Sequence, residues 1–272
     1  MSMDYEGYIT RKFLIGFLLL ILTVLVSLYA LSHGSYSLST MDVINTLFGR
    51  EGGNAYLIVW KVRLPRIVAA LLVGASLAVS GAVMQGGFLR NPLASPFTMG
   101  VSHGAMFGAS LAIILGAGYA ESTGRISLDN PYAVVLFAFA GAMVAVGVIL
   151  LLAKLKGLSP EAIILAGVAM SSLFVALTTF IQYFADELQL AAMVYWSFGD
   201  LGRATWREDV ILLLVFVPVF VYFVVKRWDL NASAVGEEVA KSVGVEVERV
   251  RLVSTFLAAL ITAVSVASLG GL

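Results

Sequence analysis

Seven apolar stretches dominate this chain, each long enough to cross a bilayer at about 20 residues per helical crossing. They occupy positions 13–31, 64–86, 97–115, 132–153, 161–183, 209–225 and 250–269. Backbone groups in lipid have no water to bond, so a spanning segment must satisfy them internally. The alternating pattern of a membrane barrel strand is absent, which leaves helices. The expected fold class is therefore an all-α polytopic helical bundle. Composition agrees: 60% of residues are hydrophobic and only 12% charged. Mean hydropathy is +0.96. A soluble domain of this length needs more charge to cover its surface.

The N-terminal stretch has the basic flank of a signal peptide, with Arg11 and Lys12 before the apolar run. The run is too long for a typical signal core and no small-residue cleavage pattern ends it, so it reads as a retained first helix. Basic residues near helix ends favour a cytoplasmic N-terminus. The inner side then holds ten: Arg11, Lys12, Arg90, Lys154, Lys156, Lys226, Arg227, Lys241, Arg249 and Arg251. The outer side holds seven: Arg50, Lys61, Arg63, Arg66, Arg125, Arg203 and Arg207. Three of these crowd between Lys61 and Arg66, against the general bias.

The connections differ in character. Residues 32–63 read as a long outer polar loop, 89–96 as a short inner turn with two prolines, and 120–131 as a short outer loop. Residues 185–208 are amphipathic, with Trp196 and Trp206 as expected interface anchors. Residues 226–249 form the longest inner connection. Small residues recur at helical spacing: Gly100, Gly104 and Gly108, and Gly74 with Ala78. Such spacing lets helix backbones approach closely in lipid and predicts a tightly packed bundle.

Several chemistries have no residues to carry them. There are no cysteines, hence no disulfides, thiolate metal sites or cysteine nucleophiles. No phosphate loop of the G-x-x-x-x-G-K-[ST] kind occurs, nor H-E-x-x-H, nor G-x-S-x-G. His33 and His103 are far apart, and His103 reads as a packed or helix-bonded residue, so no metal site is expected. Formal net charge is zero, which gives no reason to expect nucleic acid. Glu161, Asp186, Glu187 and Asp209 fall near helix ends, whereas ion-coupled carriers commonly keep a carboxylate near the midplane. The chain is not expected to be an enzyme, and its energy source is expected to lie elsewhere.

Two segments are more specific. Residues 62–105 read VRLPRIVAALLVGASLAVSGAVMQGGFLRNPLASPFTMGVSHGA. An Arg-Leu-Pro-Arg box opens a helix, a small-residue helix ends in Met-Gln, and Asn-Pro-Leu-Ala and Gly-Val-Ser-x-Gly-Ala follow. Residues 235–253 read VGEEVAKSVGVEVERVRLV, a polar amphipathic stretch with Gly244 placed to end a short helix. A surface helix between two spans and a lever for an attached motor both fit that pattern.

Together the boxes resemble the permeases of the iron-siderophore, haem and cobalamin uptake family of type II ABC importers. The resemblance implies one transmembrane permease domain over 1–272, with a cytoplasmic coupling segment near 231–245. It implies a homodimer in the cell membrane, served by two ATPase subunits that carry the ATP and Mg, and by an external binding protein. No cofactor is then bound by this chain. Arg63 and Arg66 would meet acidic side chains of the binding protein. Gly236, Glu237, Glu238, Ala240, Lys241, Ser242 and Gly244 would contact the ATPase. The fifth span would line the pathway with Gly167, Ser171, Ser172, Thr178, Thr179 and Gln182, although these hydroxyls can equally bond their own helix. The family usually has ten spans where seven are counted here, so a C-terminally shortened form is expected. An ion-coupled carrier or channel, or a non-transporting scaffold, are the competing readings. Which chelate is carried is not legible.

Overall fold

A computed structural model of the chain describes residues 5–34, 36, 38–49, 53–92, 94–117 and 130–271. Arg50, Arg125 and most of the 120–131 loop lie outside the described residues. Every regular element among them is helical. Six helices are long and apolar enough to span a membrane, and a seventh, over Val101–Ala117, is shorter. All seven expected spans have a helix. The protein is an all-α polytopic membrane protein.

The chain divides into two compact units, Met1–Val68 and Ala69–Leu272. In the first, α1 (Tyr5–Ser32) is apolar around most of its circumference. Residues 32–63 are not the plain loop expected. They contain α2 (Thr40–Leu47), started by a reciprocal pair in which Ser39 and Asp42 each accept the other's backbone N–H. They also contain α3 (Asn54–Tyr56), which passes through a π-helical stretch, Leu57–Arg63, into α4 (Leu64–Ala82) and a second π-helical stretch, Val83–Phe88. The expected second span thus begins ten residues early, at Asn54. Proline at position 65 is tolerated because the wider π turn before it relieves the backbone. Leu31, Val43 and Val59 form the buried centre of this unit. Trp60 donates from Nε1 to the Thr46 carbonyl at 3.2 Å.

In the second unit the helices are α5 (Val101–Ala112, extended by a π turn through Ala117), α6 (Pro131–Lys154), α7 (Pro160–Phe184), α8 (Glu187–Ser197), α9 (Trp206–Val225), α10 (Arg227–Val235), α11 (Glu237–Ser242) and α12 (Val247–Leu269). Their starts are written in the sequence. Asn130 caps α6 and Ser159 caps α7, each followed by proline at the first helical position. Asp186 with Gln189 and Thr205 with Glu208 close reciprocal caps on α8 and α9.

The core runs between α5, α6, α7 and α12, and α12 is the most enclosed span, with 61% of its apolar window buried. Polar groups inside it pair across helices, as lipid requires. Ser80 donates to the Ala258 carbonyl at 3.0 Å, with Thr262 beside it at 3.4 Å. Gly104 and Gly108 allow α5 to lie directly on the α6 backbone, which bears out the expected close packing there. Gly74 and Ala78 are exposed instead, and nothing lies within 4 Å of a Cβ placed on Gly74. Small-residue spacing makes close approach possible but does not say which face a neighbour takes. Trp196 is likewise not an interface anchor. It is 1% exposed in the core, because α8 turns that face inward.

Candidate functional site

The segment between α9 and α12 is built by a series of local stops. Lys226 ends α9 and pairs with Asp229 at 2.8 Å in the first turn of α10. That contact, a hydrogen bond foremost, raises the Lys226 ammonium above its usual range. Gly236 separates α10 from α11 in an extended conformation. Gly244 then ends α11 with φ +84. Its N–H donates to Lys241 O at 3.1 Å, and the N–H of Val245 donates to Ala240 O at 3.0 Å, the two bonds of a Schellman cap. The expected helix end at Gly244 is where the chain puts it.

The six-residue α11 has two faces. Ala240 is buried and Glu237 half-buried toward the bundle. Glu237 pairs with Lys241 at 2.9 Å and with Arg251 at 3.4 Å. The hydrogen bond from Lys241 is the main reason its carboxyl sits below the usual carboxylate range, and the same bond raises Lys241. Away from the bundle, Glu238 and Ser242 are exposed. So are three valines at a four-residue interval: Val235 at 72%, Val239 at 47% and Val243 at 65%. Val239 and Val243 lie one turn apart on α11 and its end, whereas Val235 ends α10 on the far side of the extended Gly236, so only the first two share a helical face. Sequence reading named the polar residues here and missed the valines, although Val239 and Val243 stand four apart in the short helix.

The structure separates the two expected docking arginines. Arg63 is 9% exposed, in the interior of a helical rod rather than at its outer end. Its guanidinium donates to the carbonyls of Leu31 and Tyr36, closing the chain after α1. Gly34 makes room for it: a Cβ there would lie 2.8 Å from Nη2. Arg66, one turn on, is exposed. Among the described residues, the other expected outer arginines are engaged with aromatic faces, Arg207 over Tyr132 at 4.5 Å and Arg203 over Tyr195 at 5.1 Å.

The candidate pathway residues of α7 do not share a face. Gly167 and Thr178 are buried and Ser171 half-buried. A Cβ on Gly167 would lie 2.7 Å from the Thr98 carbonyl oxygen, so this glycine serves helix contact. Ser172 and Thr179 are exposed, and their hydroxyls donate to their own helix at Val168 O, 3.1 Å, and Val175 O, 3.0 Å. Gln182 is half-buried at the end of the helix. His103, expected to be packed or bonded to its helix, is exposed on α5 rather than packed.

Comparison with known proteins agrees with this architecture. The FecCD transport family pattern matches residues 19–272. An ABC transporter permease protein of Methanocaldococcus jannaschii is 60% identical over 267 residues, covering 98% of this chain and 76% of the relative. The vitamin B12 import system permease protein of Escherichia coli is 40% identical over 188 residues, covering 69% of this chain and 54% of that protein. A solved structure, an inward-facing conformation of a metal-chelate type ABC transporter, superposes with a TM-score of 0.76 at 31% identity, covering 96% of this chain and 75% of the other. Permeases of this kind are non-catalytic subunits, and the chain belongs to the FecCD transport family of type II ABC importer permeases.

Proposed function

We propose that the chain is the membrane subunit of an ATP-driven importer for a ferric siderophore, haem, cobalamin or a similar bulky chelate. It works as a homodimer in the cell membrane with its N-terminus in the cytoplasm, as the basic residues favour. Two ATPase subunits bind ATP and Mg on the inner side, and a binding protein delivers ligand outside. The cargo class follows the relatives, one a vitamin B12 import permease and one of metal-chelate type. Of the α7 residues, the exposed Ser172 and Thr179 and the half-buried Ser171 and Gln182 are proposed to border the passage, while Gly167 and Thr178 pack inside the bundle.

The observation that carries the reading is the short exposed apolar stripe of Val239 and Val243 along α11, beside Glu238 and Ser242. Burying such a stripe in a groove of the ATPase gives the motor a grip on a segment that is itself tied to the bundle. Outside, Arg66 is the exposed cation for the binding protein, while Arg63 holds the local backbone.

The test is co-purification of the permease with its ATPase. Val239→Arg with Val243→Arg should abolish association and chelate uptake while leaving the permease monodisperse in detergent. Arg66→Glu should leave ATPase association intact and weaken stimulation of ATP hydrolysis by the binding protein. Association undiminished by the two valine substitutions overturns the assignment of α11. Uptake that proceeds with no ATPase present overturns the function.

A further inference from the structure

Arg251 is a charge inside the base of the bundle. It lies in the first turns of α12 and is 2% exposed. Its guanidinium divides between two elements distant in sequence. Nη1 donates to the carbonyl oxygen of Leu158 at 2.7 Å, and Nη2 to Oε2 of Glu237 at 3.4 Å. Nε has no hydrogen-bond partner among the described residues. One side chain therefore fastens three elements together: its own helix, the turn between α6 and α7, and α11.

Both partners are unusual. Leu158 is a buried, non-glycine residue in the left-handed region, with φ +55. A branched side chain keeps that conformation only where its surroundings over-determine it. Its own N–H closes the end of α6 by donating to Ala153 O at 2.8 Å. The next residue, Ser159, caps α7. The carbonyl that Arg251 holds is thus the pivot between two spans. Glu237 opens α11 directly after Gly236, and its other oxygen is bonded to Lys241.

The two legs differ in kind. The Leu158 leg ends on the carbonyl of a buried residue. The Glu237 leg ends on a half-exposed carboxylate that Lys241 shares. The joint therefore has a stronger leg on the membrane bundle and a weaker one on the coupling segment. A planar fork holds both acceptors in a fixed geometry; an ammonium on a flexible stem can reach acceptors but does not fix their relative position.

We infer that Arg251 is a positioning residue that makes α11 and the α6–α7 turn move as one body. This rests on the reading of α11 as the ATPase contact. Displacement of α11 is passed through Glu237 to Arg251, and from there to α12 and to the start of α7. Coupling carried by a named pair of contacts of this sort is testable where mere proximity is not.

The test uses two spin labels on cysteines placed at Val239, on α11, and Lys156, in the turn; the chain has no cysteine of its own. With Arg251 present the distance distribution should be narrow in the permease alone. Arg251→Gln should broaden it, Arg251→Lys should broaden it as much, and Glu237→Gln should broaden it less. In vesicles holding the unlabelled permease, its ATPase and its binding protein, ATPase association should persist in both Arg251 variants. Cargo moved per ATP hydrolysed should fall about tenfold for both Arg251 variants, within the usual range of coupling energies. A narrow distribution in Arg251→Lys overturns the inference, since that variant keeps the charge and tests only the fork. A transport-to-hydrolysis ratio unchanged in both Arg251 variants overturns it as well. Should the unmodified permease fail to bind an ATPase, the proposed function fails, and the label distances still decide the joint.

Discussion

Gly104 and Gly141 face each other across the α5–α6 contact with no side chain between them: a Cβ on Gly141 would lie 2.2 Å from the Gly104 carbonyl oxygen. At Gly108 the added atom would lie 2.0 Å from the Phe137 carbonyl oxygen. Backbone cannot yield as a flexible side chain can. Gly108→Ala and Gly141→Ala should therefore force the helices apart and cost about 1–3 kcal/mol or more. Thermal unfolding in detergent reads this as a lower midpoint. Gly147→Ala is the contrast, since nothing lies within 4 Å of a Cβ there. That variant should leave the midpoint unchanged or raise it slightly, alanine being the better helix former.

The end of α11 offers a second contrast. Gly244 has φ +84, and an L side chain there costs about 1–2 kcal/mol. Gly236 has φ 165, ordinary extended backbone, with only the far end of the Arg90 side chain within 4 Å of an added Cβ. Gly244→Ala should loosen α11 and reduce uptake, whereas Gly236→Ala should be tolerated. A spin label on Val239→Cys reports the local order directly.

Glu237 makes α11 sensitive to acid. Its carboxyl is held below the ordinary value of 4.5, first by the hydrogen bond from Lys241 and also by Arg251, against the opposing cost of partial burial. A depressed carboxyl contributes stability above its unfolded value and loses it as pH falls through the folded value. The Val239 label should keep constant mobility from about pH 8 to about pH 5 and become mobile only in more acid solution. In Glu237→Gln that transition should disappear. An unchanged acid transition in this variant would show that another group controls the segment.

Asp209 sits in the first turns of α9 at 3% exposure, and neither carboxylate oxygen has a hydrogen-bond partner among the described residues. An enclosed carboxyl without partners is costly, and part of that cost is offset by its place near a helix N-terminus. Asp209→Asn keeps the shape and removes the charge. It should raise the unfolding midpoint, corresponding to about 1 kcal/mol. A clear fall in midpoint would mean that the carboxyl has a favourable partner in the assembled transporter.

Much of the fold was legible because lipid imposes a simple rule. Spans must be long, apolar and helical, so seven helices were visible, and Asn130, Ser159 and Thr205 cap the starts of three of them. The early start of the second span was hidden because residues 54–63 carry Lys61 and Arg63, which read as loop. In that helix Arg63 donates to carbonyls at and just past the end of α1, a pairing across some thirty residues that no local pattern announces. The same blindness covered Trp196, whose flank looked interfacial and whose side chain is core.

The candidate site divides along the same line. Sequence alone determined that the protein spans a membrane, that a short polar helix ends at Gly244, and that no catalytic motif is present, because length, hydropathy and backbone preference are local properties. Tertiary structure alone decided that Arg63 faces inward and Arg66 outward, that Val235, Val239 and Val243 stand bare, and that Arg251 joins Leu158 to Glu237. Burial and pairing depend on which elements meet, and that is set by packing between segments far apart in the chain.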